Sequence, residues 1–458
     1  MDGKIQITNI RWEIEPKCNL NCRHCFVGSK LDKYKEMDFE TAKVVVDILS
    51  DCGIKKIIFS SKEPLMYKDI DKLISYCNVK GIHTELVTNG TLLQNTLFAE
   101  KIISSGVGTI SISVEGITKD SNDYIRGEGN LDQVLRALGN LKNIMEYKRQ
   151  IIIGIQMSLN RKNKNEAAHV PEFFNHLPID ILVIGGLSLD GNAKNNSDLL
   201  LSPEEFIQIW DVILVNYLKL KDKKYYLTSK SLFPIEAVYY NCMFGSDFCP
   251  VIPKCGILEE HYSLLPNGDI VPCVALLDKI NDVGEFPRIN ILDKMLNEEK
   301  INKLENFKIQ LENLIKENRP HVCRECYYKE DCRPCPVNII QQQFKEEISI
   351  RCSRAKEKIK EIFNLIRRHF DEYYLSIRDN TLLTVQNQKV SLTRYYEQGG
   401  VYRKEYELEP LQINALQKIF NFKEISLKEL LYDFKNYEML LNFIEPLVFD
   451  NFIMVRRS

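Results

Sequence analysis

The chain contains 458 residues, with 61 Lys and Arg against 63 Asp and Glu and a formal net charge of −2. This balance argues against a nucleic-acid-binding protein, which favours a strongly basic face. No apolar run approaches the ~20 residues that cross a bilayer, and the N-terminus lacks the pattern of an export signal. We therefore expect a cytoplasmic protein without membrane attachment.

The first 220 residues alternate strand and helix patterns. Runs rich in β-branched residues lie at 8–14, 55–60, 82–88, 108–114, 150–158 and 179–186, and helical patterns separate them. Gly53, Gly81 and Gly106 each follow a predicted helix, where a left-handed cap favours glycine. Such repeats predict an α/β fold with a parallel sheet, either open and doubly wound or closed into a partial barrel. In both folds ligands bind at the C-terminal ends of the strands.

The pattern changes twice after residue 220. Residues 221–370 are rich in cysteine and turns, with a polar helical stretch at 296–316 and a basic one at 351–368. Residues 371–458 show strand patterns at 372–378, 381–386, 388–394 and 401–408, followed by three short helices. This last segment predicts a small α+β, winged-helix-like domain. We therefore predict three domains, at 1–220, 221–370 and 371–458.

The 14 cysteines are clustered rather than spread evenly. Cys18, Cys22 and Cys25 form a C-x3-C-x2-C motif on the loop after the first predicted strand, and eight more cysteines lie between residues 249 and 352. In a reducing compartment, clustered cysteines indicate metal binding rather than disulfides. Three thiolates at this spacing can hold a [4Fe–4S] cluster and leave one iron without a protein ligand. A zinc site with His24 as the fourth ligand is the alternative.

A C-x3-C-x2-C motif in this position resembles the radical S-adenosylmethionine (SAM) superfamily. The resemblance implies a partial (β/α)6 TIM-like barrel in which Cys18, Cys22 and Cys25 hold a [4Fe–4S] cluster whose open iron binds SAM. It also implies that an electron from the cluster cleaves SAM to a 5′-deoxyadenosyl radical, which abstracts a hydrogen atom from the substrate.

Other segments match this superfamily in order along the chain. They are Thr88-Asn89-Gly90, Ser111-x-Ser113-x-Glu115-Gly116 and Arg126-Gly127. The resemblance implies SAM contacts from Glu63, Thr88, Asn89, Ser113, Glu115 and Arg126. The family's G-G-E-P segment is here Ser61-Lys62-Glu63-Pro64, so both glycines that let the backbone approach SAM are replaced.

The second group of cysteines resembles the SPASM extension of radical SAM enzymes, which holds two auxiliary [4Fe–4S] clusters. By position, the ligands of one cluster would be Cys249, Cys255, Cys273 and Cys335, and those of the other would be Cys323, Cys326, Cys332 and Cys352. The family usually has three residues before its penultimate cysteine, where this chain has two. Paired structural zinc sites are the alternative for these cysteines.

SPASM enzymes mostly modify peptides, so the resemblance implies a maturase that acts on a ribosomally made precursor peptide and forms a crosslink, most often a thioether. The alternatives are formylglycine formation as in sulfatase maturases, peptide epimerisation and carbon–carbon crosslinking; the sulfatase-maturing branch has an Asp where this chain has Val274. A non-catalytic iron–sulfur scaffold that binds peptide is the non-enzyme alternative. The cofactors implied are SAM and three [4Fe–4S] clusters, and the implied electron donor is a flavodoxin or ferredoxin. No catalytic residue is assigned.

The C-terminal segment resembles the PqqD-like element that recognises the leader of a precursor peptide. Such an element binds the leader as an added strand. A generic winged helix that packs on the barrel is the alternative. If this segment binds the leader, we expect a chain truncated near residue 370 to keep its clusters and lose precursor binding.

Overall fold

The computed structural model describes residues 8–148, 150–229, 231–248, 261–279, 288–293, 298–330, 332, 334–386, 389–395, 401–422, 424–434 and 436–457. These residues form two compact units. The first comprises 1–231, 255–319 and 333–345, and the second comprises 232–254, 320–332 and 346–458. Among the described residues, no helix has the length and apolar character needed to cross a membrane. The division into three domains stays a prediction.

The first unit contains a sheet of ten strands among its described residues. In chain order the strands are β1 (Asn9–Trp12), β2 (Lys56–Phe59), β3 (His83–Thr88), β4 (Thr109–Ser113), β5 (Ile152–Leu159), β6 (Ile181–Gly186), β7 (Tyr226–Ser229), β8 (His261–Leu264), β9 (Asp269–Val271) and β10 (Ile289–Asn290). Their spatial order is β10-β9-β8-β1-β2-β3-β4-β5-β6-β7. Strands β1 to β7 pair in parallel, β8 pairs in parallel with the other side of β1, and β9 and β10 continue antiparallel.

The six strands predicted from the sequence correspond to β1–β6, which confirms the α/β fold with a parallel sheet. Strand β7 is a parallel strand that the sequence patterns did not indicate. Because β1–β7 are parallel, their C-terminal ends lie along one edge of the sheet, and the loops that follow them can converge there.

The connections of the first unit are helical, as predicted. The helices are α1 (Phe39–Asp51), α2 (Ile70–Val79), α3 (Thr96–Ser104), α4 (Lys119–Arg126), α5 (Asn130–Met145), α6 (Val170–Asn175) and α7 (Pro203–Lys219). Helix α1 buries Ala42, Val45, Val46 and Leu49, the i, i+3, i+4, i+7 pattern of a helix that packs on a core with one face. The backbone φ of Gly53, Gly81 and Gly106 is 83°, 72° and 93°, which confirms the left-handed caps.

The remaining helices follow after residue 231. They are α8 (Pro234–Phe244), α9 (Glu298–Asn318), α10 (Pro336–Ile339), α11 (Gln342–Arg368), α12 (Pro410–Asn421), α13 (Leu427–Leu431) and α14 (Tyr437–Phe449). Pro410 occupies the first turn of α12, and Ser426 and Glu429 form a capping box at α13. Both residue patterns are typical of the start of a helix.

The strands of the second unit form two separate small sheets. They are β11 (Tyr373–Ile377), β12 (Thr381–Gln386), β13 (Lys389–Tyr395), β14 (Val401–Glu407), β15 (Ile425–Ser426) and β16 (Ile453–Arg457). One sheet has the order β15-β11-β16 and the other the order β12-β13-β14. The four consecutive strands expected from the sequence are present, but β11 pairs with the C-terminal strand rather than with β12. Hydrogen-bond pairing between distant segments is not encoded in a local strand pattern.

Candidate active site

A cavity of about 440 Å³ lies in the first unit at the C-terminal ends of its parallel strands. Its wall includes Cys18, Cys22 and Cys25 from the loop after β1. Residues at the ends of β3, β4, β5 and β6 complete the wall, among them Thr88, Ser113, Gln156, Ser158 and Gly185. The cavity therefore lies where a parallel α/β fold is expected to bind ligands.

The loop after β6 holds the cysteine loop in place. The Asn192 backbone N–H donates to the Cys25 carbonyl (2.9 Å), and the Asn192 side chain donates to the Cys22 carbonyl (3.0 Å). Gly191 has φ +54°, and a Cβ built on it would lie 2.3 Å from the Cys25 carbonyl oxygen. Only glycine allows this close approach of the two backbones. A loop far along the chain therefore fixes the position of the thiols.

The three thiols fit an iron–sulfur cluster better than a single zinc ion. Ligands of a tetrahedral zinc converge on one point, but within the described residues no three His, Cys, Asp or Glu side chains are arranged to hold a single ion. His24, the alternative fourth ligand, has its Nε2 atom 3.0 Å from Glu115 Oε1. Burial raises the pKa of the Cys22 thiol to about 11, so it needs a bound cation to become a thiolate at neutral pH.

Glu63 is fully buried and connects the ends of β2 and β3. Its carboxylate accepts hydrogen bonds from the Thr88 hydroxyl (2.6 Å), the Asn89 backbone N–H (2.8 Å) and the Leu65 backbone N–H (3.1 Å). Burial raises the pKa of Glu63 to about 7, against these hydrogen bonds, which lower it. The carboxylate is thus occupied by the protein itself, and it orients the Thr88-Asn89-Gly90 turn.

Asn89 connects that turn to the cysteine loop. Its side-chain amide donates to Asn19 Oδ1 (2.8 Å), and its Nδ2 lies 3.8 Å from the Cys18 sulfur. Asn19 in turn donates to the Thr91 hydroxyl (2.8 Å). These contacts place a donor beside the first cysteine, and amide donors to cluster sulfurs are one of the features that set a cluster's potential.

Glu115 forms a second buried centre on the cavity wall. It accepts hydrogen bonds from Arg126 (2.9 Å) and from the Ser158 backbone N–H (2.7 Å), and it pairs with His24 (3.0 Å). Burial opposes its charged form, but His24, Arg126 and the Ser158 N–H together lower the pKa of Glu115 to about 2. Arg126 Nη1 also lies 4.0 Å from the Cys22 sulfur.

Ser61 and Lys62 occupy the positions of the missing glycines and line the cavity. Ser61 has φ +85°, so it keeps the left-handed conformation that glycine adopts readily. Lys62 directs its ammonium group to Asp32 Oδ1 (2.8 Å). Ser61 thus adopts a backbone conformation that is open to glycine, and Lys62 forms an ion pair at the cavity wall.

Five of the six residues expected to contact SAM line the cavity: Thr88, Asn89, Ser113, Glu115 and Arg126. Glu63 does not line it. The sequence motifs did not indicate the contact between His24 and Glu115. They also did not indicate Arg11 and Asp32 as site residues, although both line the cavity. The available signal for a polar interior face was the alternation of Arg11 and Glu13 with Ile10, Trp12 and Ile14, along β1 and the two residues after it.

The proposed auxiliary-cluster cysteines are only partly described. Cys249 and Cys255 lie outside the described residues. In the first unit, burial raises the pKa of Cys273 to about 12, and the nearby Cys335 adds to the increase. In the second unit, burial raises the pKa of Cys352, with contributions from Cys332 and Cys323, so these three side chains lie near one another.

Three cysteines lie outside the two groups. Cys77 is buried, Cys242 is half-buried and Cys52 is exposed. Cys52 caps the C-terminus of α1, which leads into the opposite, N-terminal end of β2. Neither Cys52 nor Cys77 lines the cavity.

Comparison with known proteins gives two family matches. Residues 12–159 match the family described as the Radical SAM superfamily, and residues 255–327 match SPASM, described as an iron–sulfur cluster-binding domain. The first match contains all the cavity cysteines and the six expected SAM contacts. The second contains Cys255, Cys273, Cys323 and Cys326, whereas Cys332, Cys335 and Cys352 lie beyond it.

Two curated relatives and one solved protein illustrate the similarity. Fe-coproporphyrin III synthase of Methanosarcina barkeri is 30% identical over 214 residues, which are 46% of this chain and 52% of the relative, so the match spans about half of that protein. AdoMet-dependent heme synthase of Nitratidesulfovibrio vulgaris is 27% identical over 285 residues, 56% of this chain and 76% of the relative. Streptococcus suis SuiB bound to S-adenosylmethionine has a TM-score of 0.55 at 17% identity, over 73% of this chain and 74% of SuiB. SuiB has also been solved with its precursor peptide SuiA, with a TM-score of 0.53 at 16% identity over 73% of this chain and 70% of that one.

Proposed function

The chain combines a radical SAM domain with a SPASM iron–sulfur domain, and from this premise we propose that it is a SAM-cleaving enzyme that modifies a ribosomally made precursor peptide. The bond that we propose it forms is a crosslink, most readily a thioether. The observation that carries the proposal is that Cys18, Cys22 and Cys25 line one cavity together with Thr88, Asn89, Glu115 and Arg126.

In this proposal the cavity residues have three roles: cluster ligands, hydrogen-bond donors near the cysteine sulfurs, and the partner that holds Arg126. The three cysteines would hold a [4Fe–4S] cluster, and the cluster with SAM, when bound, supplies the radical that takes a hydrogen atom from the substrate. Asn89 and Arg126 present N–H donors near the Cys18 and Cys22 sulfurs. Glu115 keeps the guanidinium of Arg126 in place (2.9 Å).

Peptide is the favoured substrate because SuiB, which shares the fold, has a structure in complex with a precursor peptide. A tetrapyrrole is the second candidate. It is supported by the 30% and 27% identity to Fe-coproporphyrin III synthase and to the heme synthase.

The decisive experiment is an anaerobic assay of the reconstituted, reduced protein with SAM, in which 5′-deoxyadenosine is quantified. We expect product from the wild type and none from a Cys18→Ala, Cys22→Ala, Cys25→Ala variant. Cys52→Ala is the matched control, because Cys52 is exposed and does not line the cavity. Equal product in the triple variant, or no product from a chain that binds about twelve irons as three cubes require, would contradict the proposal.

We also propose that residues 371–458 bind the leader of the precursor as an added strand. The support is strand β12, which within the described residues pairs with a strand on one side only. Tyr395 N–H donates to the Asn380 carbonyl (3.0 Å), and the antiparallel alternation from that pair leaves the N–H of Leu383 facing away from β13.

A Leu383→Pro variant tests this role, because proline removes an outward N–H and leaves the ladder with β13 intact. Leu383→Val is its matched control. We expect at least a tenfold loss of precursor affinity for the proline variant in a titration, while the valine variant binds as the wild type does. Equal affinity of both variants would assign the leader to another surface.

A further inference from the structure

Arg11 lies on the polar face of β1. Arg11 and Glu13 alternate with Ile10, Trp12 and Ile14, all three of which are buried apolar side chains. Strand alternation therefore directs Arg11 to the opposite face from the apolar core, and its half-buried side chain lines the cavity that contains the three cysteines.

The other charged groups on the cavity wall have partners within the protein. Arg126 is paired with Glu115 (2.9 Å), and Lys62 is paired with Asp32 (2.8 Å). The guanidinium of Arg11, by contrast, has no ion pair or hydrogen bond with any residue in the described part of the chain.

Two acidic groups interact electrostatically with Arg11 at a distance, the carboxylate of Glu13 and the thiol of Cys273. The Oε1 atom of Glu13 accepts a hydrogen bond from the Ser263 hydroxyl (3.1 Å). Glu13 is fully buried and does not line the cavity. Arg11 thus keeps its N–H donors available on the cavity side.

The two carboxylates on the cavity wall are both engaged. Asp32 pairs with Lys62 and Glu115 pairs with Arg126, so among the described wall residues Arg11 has no carboxylate partner. The wall on the side of β5 and β6 is uncharged, with Gln156, Ser158 and Gly185. A half-buried cation without a partner is costly in free energy, and an anionic ligand group would remove that cost.

We propose that Arg11 anchors a carboxylate of the substrate in the cavity. A planar guanidinium with several N–H donors matches a carboxylate in a bidentate arrangement, which gives both affinity and orientation. The inference rests on the proposed function, and it narrows the substrate to molecules that present a carboxylate near the hydrogen to be removed. Both an acidic peptide residue and the propionate of a tetrapyrrole carry this group.

The test compares matched probes that differ in their carboxylates. One pair is iron coproporphyrin III and its tetramethyl ester; the other is a pool of peptides with Asp and Glu and the same pool with Asn and Gln. Dissociation constants are measured with the SAM-loaded holoenzyme, together with the stimulation of 5′-deoxyadenosine formation by each probe. We expect at least tenfold tighter binding of the carboxylate member of one pair, and the pair that shows it identifies the source of the carboxylate.

Variants of Arg11 then test whether this residue causes the preference for the carboxylate probes. Arg11→Gln is expected to abolish the preference for carboxylate, and Arg11→Lys, which keeps the charge without the planar fork, to retain part of it. Arg136→Gln, on the exposed surface of α5, is the control and keeps the full preference. If Arg11→Gln loses iron, the carboxylate preference of Arg11→Lys is compared with that of the wild type, and a reduced preference in Arg11→Lys supports the role of Arg11.

Equal binding of both members of each pair, or a preference that survives in Arg11→Gln, would overturn the proposal. SAM cleavage that depends on the cavity cysteines does not require the substrate to be known. A failure of the Arg11 inference is therefore distinguishable from a failure of the proposed function.

Discussion

Ser61 replaces a glycine of the family motif and adopts a left-handed backbone conformation that glycine reaches readily. Its φ of +85° is unusual for a residue with a Cβ and costs about 1–2 kcal/mol relative to glycine. Glu63, two residues later, anchors the same loop through three hydrogen bonds, so the surrounding structure enforces the conformation. The missing glycines therefore do not by themselves argue for a degenerate site.

Gly191 gives the sharpest prediction at the residue scale. In a Gly191→Ala variant the new Cβ would lie 2.3 Å from the Cys25 carbonyl oxygen, in a conformation with φ +54°. We expect the cysteine loop to shift and the reconstituted protein to lose about four irons, the content of one cube. Iron analysis after anaerobic reconstitution measures this loss.

Gly139→Ala is the matched control, because a Cβ at Gly139 in α5 meets no atom within 4 Å. We expect it to keep its iron and to stabilise the protein by up to about 1 kcal/mol through helix propensity. Unchanged iron in Gly191→Ala would show that the loop after β6 does not position the cysteines.

At the scale of elements, two buried carboxylates hold neighbouring strand ends and respond to pH in opposite directions. Burial raises the pKa of Glu63 to about 7, so its stabilising effect is complete below pH ~4.5 and is lost as the pH rises through 7. The partners of Glu115 lower its pKa to about 2 against the cost of burial, so its effect is present above pH ~4.5 and is lost as the pH falls toward 2.

A Glu63→Gln variant tests this assignment. Wild type should lose stability relative to the variant between pH 5 and pH 8, by on the order of 1.4 kcal/mol for each unit of pKa shift. Trp12 and Trp210, the two tryptophans of the chain, are both buried in the first unit, so their fluorescence during urea unfolding reports on that unit.

Glu115→Gln is the comparison variant, because the stability that Glu115 contributes changes with pH only below pH ~4.5. It should lower stability and leave the difference between pH 5 and pH 8 unchanged. The same pH dependence in wild type and Glu63→Gln would exclude Glu63 as its source.

At the scale of the whole molecule, the second unit is assembled from three separate segments of the chain. Asp450, fully buried, accepts hydrogen bonds from the hydroxyls of Tyr327 (2.8 Å), Tyr402 (2.8 Å) and Tyr406 (2.5 Å). Tyr327 directly follows Cys326, and the next residue, Tyr328, donates to the Phe449 carbonyl. The C-terminal segment therefore supports the loop that carries Cys323 and Cys326.

These contacts argue against the expectation that a chain truncated near residue 370 keeps its clusters. We expect that truncation to remove the partners of Tyr327 and Tyr328 and to lose about four of about twelve irons. An Asp450→Asn variant should show a smaller loss. Asp433→Asn, at a pair with Lys418 (2.7 Å) that is partly exposed, is the control and should keep its iron. Full iron in the truncated chain would show that the loop folds without the C-terminal segment.

The sequence by itself determined the alternation of strands and helices, because β-branched runs, helical periodicity and capping glycines act locally. It also determined the candidate cluster ligands, since the spacing of Cys18, Cys22 and Cys25 is a local property of one loop. The order of the motifs indicated Thr88, Asn89, Glu115 and Arg126, which the structure places on one cavity.

Only the tertiary structure decided which groups share a contact. Three contacts join residues that lie 76 or more positions apart: the pairing of His24 with Glu115, the approach of Gly191 to Cys25 and the pairing of β11 with β16. The partner of a charge and the neighbour of a backbone depend on where distant segments meet, which no local pattern contains. For the same reason, only the tertiary structure shows that Arg11 has no ion pair within the described part of the chain, whereas Lys62 and Arg126 each have one.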